Sequence, residues 1–166
     1  MKLKHLVVAA AVACGSAGAF AVDLGPIPPT ASFSMSHGAG AFLDTWSFDL
    51  GTESIVAASL TNVAVTFGSL STGVITGFAA TLNGVPLNLA SSTVFNPPVT
   101  VKTQVLTGSS QFGPGTFVLE VSGTAGAGGA SYGGNIVAIP VPEPETYAMM
   151  LAGLGALGFL ARRRKS

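Results

Sequence analysis

The sequence has very little charge for its length. Only 8% of its 166 residues are charged, whereas an average soluble domain has about 25%. Six of the seven basic residues lie in the terminal segments, and between Val22 and Val141 Lys102 is the single basic residue, against five acidic ones. This body has a net negative charge and no basic surface, which excludes nucleic acid as a partner.

The small number of cysteine and histidine residues excludes several kinds of site. Cys14 is the single cysteine and lies near the N-terminus, so the body has no disulfide, no cysteine zinc site and no cysteine nucleophile. His37 is the one histidine of the body, and its neighbours Gly38 and Gly40 predict a solvated loop. No Gly-x-Ser-x-Gly motif accompanies it. We therefore expect no enzyme activity, no catalytic residues, no metal and no cofactor.

Residues 1–21 have the three parts of a secretory signal peptide. Two lysines precede a nine-residue apolar run, and Ala19 and Ala21 then form an A-x-A cleavage signal. A helix of that length spans about 14 Å, too short for a hydrocarbon core of about 30 Å. We predict a signal helix that signal peptidase removes after Ala21. The alternative is a lipoprotein leader with Cys14 as the lipidated residue.

Residues 141–166 form a second ordered pattern. Two prolines fix an extended segment, because proline restricts its own backbone and that of the preceding residue. An uncharged run over 147–161 follows, and a basic cluster closes it. Fifteen helical residues reach about 22 Å, which is marginal for a membrane helix. The positive-inside rule keeps the basic end cytoplasmic and the body outside. The motif residues are Val141, Pro142, Glu143 and Pro144, and the basic residues are Arg162, Arg163, Arg164 and Lys165.

This combination closely resembles the PEP-CTERM sorting signal of Gram-negative bacteria. In that family an exosortase, a membrane-embedded sorting enzyme, takes the tail as its substrate, and the body is released to the cell surface or the extracellular polymer matrix. The resemblance implies a precursor anchored in the inner membrane and an exosortase as a partner.

The body, residues 22–140, is built from short β-type runs separated by turn residues. Asn83-Gly84 between two apolar runs predicts a hairpin with a type I′ turn, which needs positive φ at both positions. Eight or nine strands predict an all-β fold, an antiparallel β-sandwich with a jelly roll as an alternative. The predicted runs are 32–36, 46–50, 55–70, 74–82, 85–89, 99–107, 116–122 and 131–139.

A second resemblance covers one of these runs. Phe42, Asp44, Trp46 and Phe48 are similar to the Phe-x-Asp-x-Phe-x-Phe pattern of the FxDxF subfamily of PEP-CTERM proteins, with tryptophan as the second aromatic residue. Residues 128–134 resemble the Gly-Gly-x-Tyr-x-Gly stretch of the same subfamily. Strand alternation places the four side chains on one face, so we expect the aromatic residues in the core.

The acid of this motif has two interpretations. We expect Asp44 to accept hydrogen bonds from loop amides near the start of its strand. The alternative is a calcium site formed by Asp44, Asp49 and Glu53, since carboxylate oxygens are the ligands that calcium prefers.

These observations predict an exported, non-enzymatic protein of the cell surface or extracellular matrix. Its expected partners are signal peptidase, exosortase, the inner membrane and exopolysaccharide, which the hydroxyl-rich strands, as at Thr100, Thr103 and Thr107, could contact. Low charge also limits repulsion between copies and permits self-association. The alternatives are a glycan- or calcium-binding module anchored in the inner membrane and facing the periplasm, and a small hydrolase.

Overall fold

Eleven strands and one helix form the part of the chain that the computed structural model describes, which is residues 18–27, 30–142 and 144–163. The elements are β1 (Gly18–Pro26), β2 (Thr30–His37), β3 (Gly40–Leu50), β4 (Ser54–Phe67), β5 (Leu70–Thr72), β6 (Ile75–Leu82), β7 (Val85–Pro86), β8 (Asn88–Asn96), β9 (Val99–Phe112), β10 (Gly115–Ala125), β11 (Ala130–Pro140) and α1 (Pro144–Arg163).

The strands form two sheets. Sheet A has the order β1-β3-β10-β6-β7, and sheet B has the order β2-β11-β4-β9-β8, with β5 paired to β4. All pairs are antiparallel except β1 with β3, which is parallel. The predicted all-β class and two-layer, mainly antiparallel arrangement are confirmed.

The core lies between the sheets because alternate residues of each long strand point inward. On β4 of sheet B, Val56 and Leu60 are fully buried, and on β10 of sheet A so are Leu119 and Val121. Each such side chain contributes about 1.5–3 kcal/mol through its removal from water. The period-2 pattern is therefore the main reason that these segments form strands.

The predicted hairpin at Asn83-Gly84 is present. Asn83 and Gly84 have φ values of 49° and 82°, as a type I′ turn requires. The single run predicted over 85–89 instead divides in two. Leu87 N–H still bonds to Ala80 on sheet A, and the chain then crosses to sheet B as β8. Pro86 lacks an N–H group, which favours an early end to β7.

The residues at the predicted cleavage site form a strand, whereas the predicted signal helix over the apolar run 6–14 lies outside the described residues. Residues 1–17 lie outside the described residues, but Gly18–Ala21 form the start of β1. Ala19 pairs with Leu43 and Ala21 with Thr45. The edge of β3 offers unpaired backbone groups at this point, and an extended segment satisfies them.

Candidate functional site

A buried polar cluster joins the two sheets near one end of the sandwich. His37 ends β2 and Tyr132 lies on β11, both in sheet B, while Asp44 and Trp46 lie on β3 of sheet A. Each of the four side chains occupies an inward-facing strand position and is buried. We call these four residues the intersheet cluster.

Hydrogen bonds connect the intersheet cluster through one carboxylate oxygen. Asp44 Oδ2 lies 2.7 Å from His37 Nε2 and accepts a hydrogen bond from the Tyr132 hydroxyl at 2.5 Å. Trp46 Nε1 in turn donates to the Tyr132 oxygen at 3.1 Å. The His37 ring stacks on Phe42, with ring centres 4.1 Å apart and planes 6° apart. These bonds tie both sheets together at a position where unsatisfied polar groups would be costly.

Burial changes the acidity of the tyrosine in this cluster. It raises the pKa of Tyr132 well above the usual value of about 10, and the hydrogen bond to Asp44 raises it further. The hydroxyl therefore holds its proton at every physiological pH. The hydroxyl donates to the Asp44 carboxylate and accepts from the Trp46 indole N–H, so it links β11 of sheet B to β3 of sheet A.

Two expectations about this cluster are wrong. His37 is the last inward-facing residue of β2, not a solvated loop residue, because the alternation through Phe33 and Met35 continues to it. Asp44 accepts hydrogen bonds from side chains of the opposite sheet, not from loop amides. The expected burial of the aromatic residues is confirmed, because the side chains of Phe42, Trp46 and Phe48 are only 0–4% exposed.

The acids considered for calcium do not meet. Asp49 lies half-buried on the opposite face of β3 from Asp44 and accepts a hydrogen bond from Thr116. Glu53 lies directly before the next strand, β4, and accepts one from Gln111. No group of three potential metal ligands occurs within the residues that the structure describes.

A shallow groove runs across the outer face of sheet B. Its volume is about 490 Å³. Ser59, Thr107, Asn135 and Asn88 line it, and they lie opposite one another on four neighbouring strands. Ser32 on β2 extends the same row beyond Asn135. We call these five residues the polar row. The sequence alone did not reveal it, because the row depends on the register between strands.

The intersheet cluster lines neither this groove nor a smaller depression of about 150 Å³ beside β7. The smaller depression has both apolar and polar lining residues, which are Leu82, Val85, Pro86, Leu87, Asn88, Gly108, Ser109 and Ser110. Both depressions thus lack the histidine, carboxylate and phenol that the molecule keeps in its core.

The C-terminal segment leaves the body directly after β11. Pro140 pairs with Ser54, and the N–H of Val141 donates to the Glu53 carbonyl at 2.9 Å. Pro142 is exposed. Of the predicted motif and basic residues, Glu143, Arg164 and Lys165 lie outside the described residues.

Helix α1 covers the predicted apolar run. Six of its large apolar side chains are more than half exposed. Glu145 lies in its first turn and Arg162 and Arg163 in its last, an arrangement of charge that interacts favourably with the helix dipole. In the parts of the chain that are described, no helix has the length and hydropathy of a membrane span. A membrane helix over 147–161 therefore stays a prediction. The exposed side chains are Tyr147, Met149, Met150, Leu151, Leu154 and Leu157.

Comparison with known families identifies this segment. Residues 140–165 match the PEP-CTERM protein-sorting motif. The chain carries a PEP-CTERM signal. This motif implies an exported protein whose anchored tail is processed by an exosortase, and it begins where β11 ends.

The comparisons with curated proteins and with solved structures are less informative than the sorting motif. No curated protein matches the chain. Among solved structures, the chain is similar to the pre-peptidase C-terminal domain of a collagenase from Bacillus anthracis, with 16% identity and a TM-score of 0.39. The match covers 75% of this chain and 99% of that domain.

Proposed function

We propose that this PEP-CTERM protein is a non-enzymatic component of the cell surface or extracellular matrix that associates with exopolysaccharide. The sorting motif at residues 140–165 carries the proposal. In this scheme signal peptidase cuts after Ala21, the C-terminal segment anchors the precursor in the inner membrane, and an exosortase then releases the body.

The junction between body and tail supports this processing. The last ladder pair of β11 joins Pro140 to Ser54, and Val141 is bonded to Glu53 just beyond it. Cleavage after Pro142 would break none of these bonds, so the body would keep its full sheet. Pro142 is exposed, and its fixed φ keeps the segment extended, as a protease requires of a bound substrate.

The surface of α1 supports its role as an anchor. Six apolar side chains of this helix are more than half exposed, and such a surface favours an apolar environment.

At the other end of the chain, cleavage after Ala21 would leave Val22 and Asp23 paired with Trp46 and Ser47 of β3.

The chemistry of the intersheet cluster supports a non-enzymatic role. Catalysis by His37 would need access to a substrate, but Asp44 and Phe42 occupy its edge and its face. Its side chain is 5% exposed. A general base must reach the proton that it removes, and this ring is engaged in holding two sheets together.

The polar row supports contact with a polysaccharide. Hydroxyl and amide groups from five neighbouring strands form a line across sheet B, and strands lie about 4.8 Å apart. The line is therefore about 19 Å long. Uncharged donors and acceptors in such a row can bond to the hydroxyl groups of successive sugars, and the groove of about 490 Å³ gives them a concave surface.

Intact mass tests the sorting step. The protein is collected separately from culture medium, outer surface and inner membrane. We expect a species in the medium or on the surface that starts at Val22 and lacks α1. The variant Glu143→Gln alters the motif, and we expect it to stay in the inner membrane with its tail. Glu145→Gln, two residues further on, is the matched control and is expected to be processed normally. Wild-type protein that keeps residues 147–166 in the inner membrane would contradict release and favour an anchored, periplasm-facing module.

Cosedimentation with exopolysaccharide from the producing cells tests the second step. We expect the released protein to cosediment, and the double variant Thr107→Ala with Asn135→Ala to do so several-fold less. The control replaces Thr76 and Thr124, two exposed and paired hydroxyl residues of sheet A, by alanine. Equal binding by both double variants would contradict a role for the polar row without affecting the sorting proposal.

A further inference from the structure

Among the residues that the structure describes, strand β8 is an unprotected sheet edge. It lies at the end of sheet B, pairs with β9 along one side, and all nine of its residues are exposed. Its register with β9 is continuous from Asn88 to Asn96, without a bulge. Natural edge strands are usually short or carry charge, proline or bulges that prevent pairing with another chain. β8 has none of these features over nine residues.

The sequence of β8 is nearly palindromic in the chemical type of its residues. Asn-Leu-Ala-Ser-Ser-Thr-Val-Phe-Asn has Ser92 at its centre. Reversal matches asparagine with asparagine, leucine with phenylalanine, alanine with valine, and serine with threonine. An antiparallel copy would therefore place apolar residues opposite apolar ones and polar residues opposite polar ones, so the strand is complementary to a second copy of itself, as a two-fold interface requires.

We propose that two copies of this chain pair through β8, antiparallel about a two-fold axis at Ser92. In this register Leu89 faces Phe95 of the other copy, and Ala90 faces Val94. Each pair joins residues of the same strand parity, so the inward and outward faces of the two sheets B remain continuous. The product is a ten-stranded sheet, with β5 paired at its side, in which β8 is no longer an edge.

The inward face gains apolar contacts from this pairing. Leu89 pairs with Leu106, which pairs with Leu60 at the centre of sheet B. Leu106 and Leu60 are buried, whereas Leu89 is 50% exposed and Phe95 is 70% exposed. Phe95 of a second copy would cover Leu89, and the same contact occurs twice because of the symmetry.

The outward face gains a matching contact. Val94, Val101 and Val65 form a cross-strand row, and Val94 at its end is 62% exposed. Ala90 of a second copy would extend this row. Neither strand brings a charge to the interface, so no ionic group loses its hydration on pairing.

The other edge of sheet B does not have this symmetry. An antiparallel copy of β2 in its full register would place Ala31 opposite Ser36 and Ser32 opposite Met35. Polar and apolar side chains would alternate across the interface, and inward positions would face outward ones. The comparison favours β8 as the edge that a second copy occupies.

Sedimentation velocity on the protein recovered from the producing cells tests the proposal. We expect a dimer, and for Ser92→Lys a mass of half that value, because two ammonium groups would face each other at the axis. Ser34→Lys introduces the same charge at an exposed position of β2 and is expected to remain dimeric. Mixing Ser92→Lys with Ser92→Asp is expected to restore the dimer.

A cysteine at the axis tests the same contact without added charge. Residues at a two-fold axis of antiparallel strands have Cβ atoms about 5 Å apart, so we expect Ser92→Cys to form a disulfide-linked dimer on mild oxidation. Wild-type protein, which has Cys14 alone, and Ser34→Cys are the controls. A wild-type monomer, a Ser92→Lys protein that stays dimeric, or equal crosslinking in the two cysteine variants would each overturn the proposal.

Discussion

His37 and Asp44 join the two sheets of the sandwich through a hydrogen bond of 2.7 Å between Nε2 and Oδ2. The residues are seven positions apart, at the end of β2 and near the start of β3, so the chain passes from sheet B to sheet A between them. Tyr132 adds a second bond to the same oxygen from a neighbouring strand of sheet B. This short connection and its two bonds set how the sheets align at this end of the core.

Replacement of Asp44 by asparagine should destabilise the protein. The amide brings N–H donors into a buried position, and Asp44 Oδ1 has no hydrogen-bond partner within the described residues, so a donor there would stay unsatisfied. We expect the free energy of unfolding to fall by about 2 kcal/mol. Urea denaturation followed by the fluorescence of Trp46 measures it, because this single tryptophan is part of the cluster.

Asp49→Asn is the matched control on the same strand. Asp49 is partly exposed and accepts one bond from Thr116, which the amide oxygen can still accept. We expect a loss below about 1 kcal/mol. Equal losses for the two variants would mean that the intersheet cluster adds nothing beyond an ordinary surface bond.

Tyr132 should make stability depend on alkaline pH. Burial and the bond to Asp44 raise the pKa of Tyr132 in the folded protein, so folding binds a proton that the unfolded chain loses near pH 10. The stabilisation is complete below pH 10 and decreases as pH rises towards the folded pKa. Between pH 8 and 11 the wild-type protein should therefore lose about 1.4 kcal/mol more than Tyr132→Phe.

Denaturation at several pH values measures this difference. At pH 8 we expect Tyr132→Phe to be about 1–2 kcal/mol less stable than wild type, since Trp46 and Asp44 lose a partner. The gap should narrow as pH rises. A gap that stays constant from pH 8 to 11 would exclude Tyr132 as the titrating group.

The alternation of polar and apolar residues predicted most strands, and its absence explains why β8 was missed. β3 and β4 alternate cleanly because one face of each is buried. β8 is exposed on both faces, so no burial selects a pattern, and Ser91, Ser92 and Thr93 interrupt its apolar residues. A strand that pairs through its backbone alone leaves no period in its sequence.

The intersheet cluster could not be predicted from the sequence for a different reason. The period through Phe33 and Met35 continues to His37, but the glycines that follow resemble a loop. The contact with Asp44 depends on which strands face each other across the core, and a local pattern cannot specify that. The aromatic positions of β3 were predictable because parity alone determines their face.

The turn between β6 and β7 gives a test of backbone conformation. Gly84 has φ of 82°, and a Cβ there would meet no atom within 4 Å. Gly84→Ala should therefore cost about 1–2 kcal/mol through conformation alone. Gly51→Ala is the control, since its site is also open but has no positive φ. We expect that change to be neutral or slightly stabilising. Equal unfolding temperatures for the two variants would exclude backbone strain at the turn.

Two neighbouring glycines of β11, Gly133 and Gly134, give a test of close packing. A Cβ on Gly134 would lie 2.4 Å from the Ser59 carbonyl oxygen, whereas a Cβ on Gly133 would meet the Phe33 oxygen at an ordinary 3.5 Å. β4 is the central strand of sheet B, so its backbone has little room to move. Gly134→Ala should lower the free energy of unfolding by about 1–3 kcal/mol, and Gly133→Ala by less than about 0.5 kcal/mol. Urea denaturation of the two neighbouring variants separates a steric requirement from a general preference for glycine in this stretch. If both variants lose the same amount, the close approach of β11 to β4 is not what requires a glycine there.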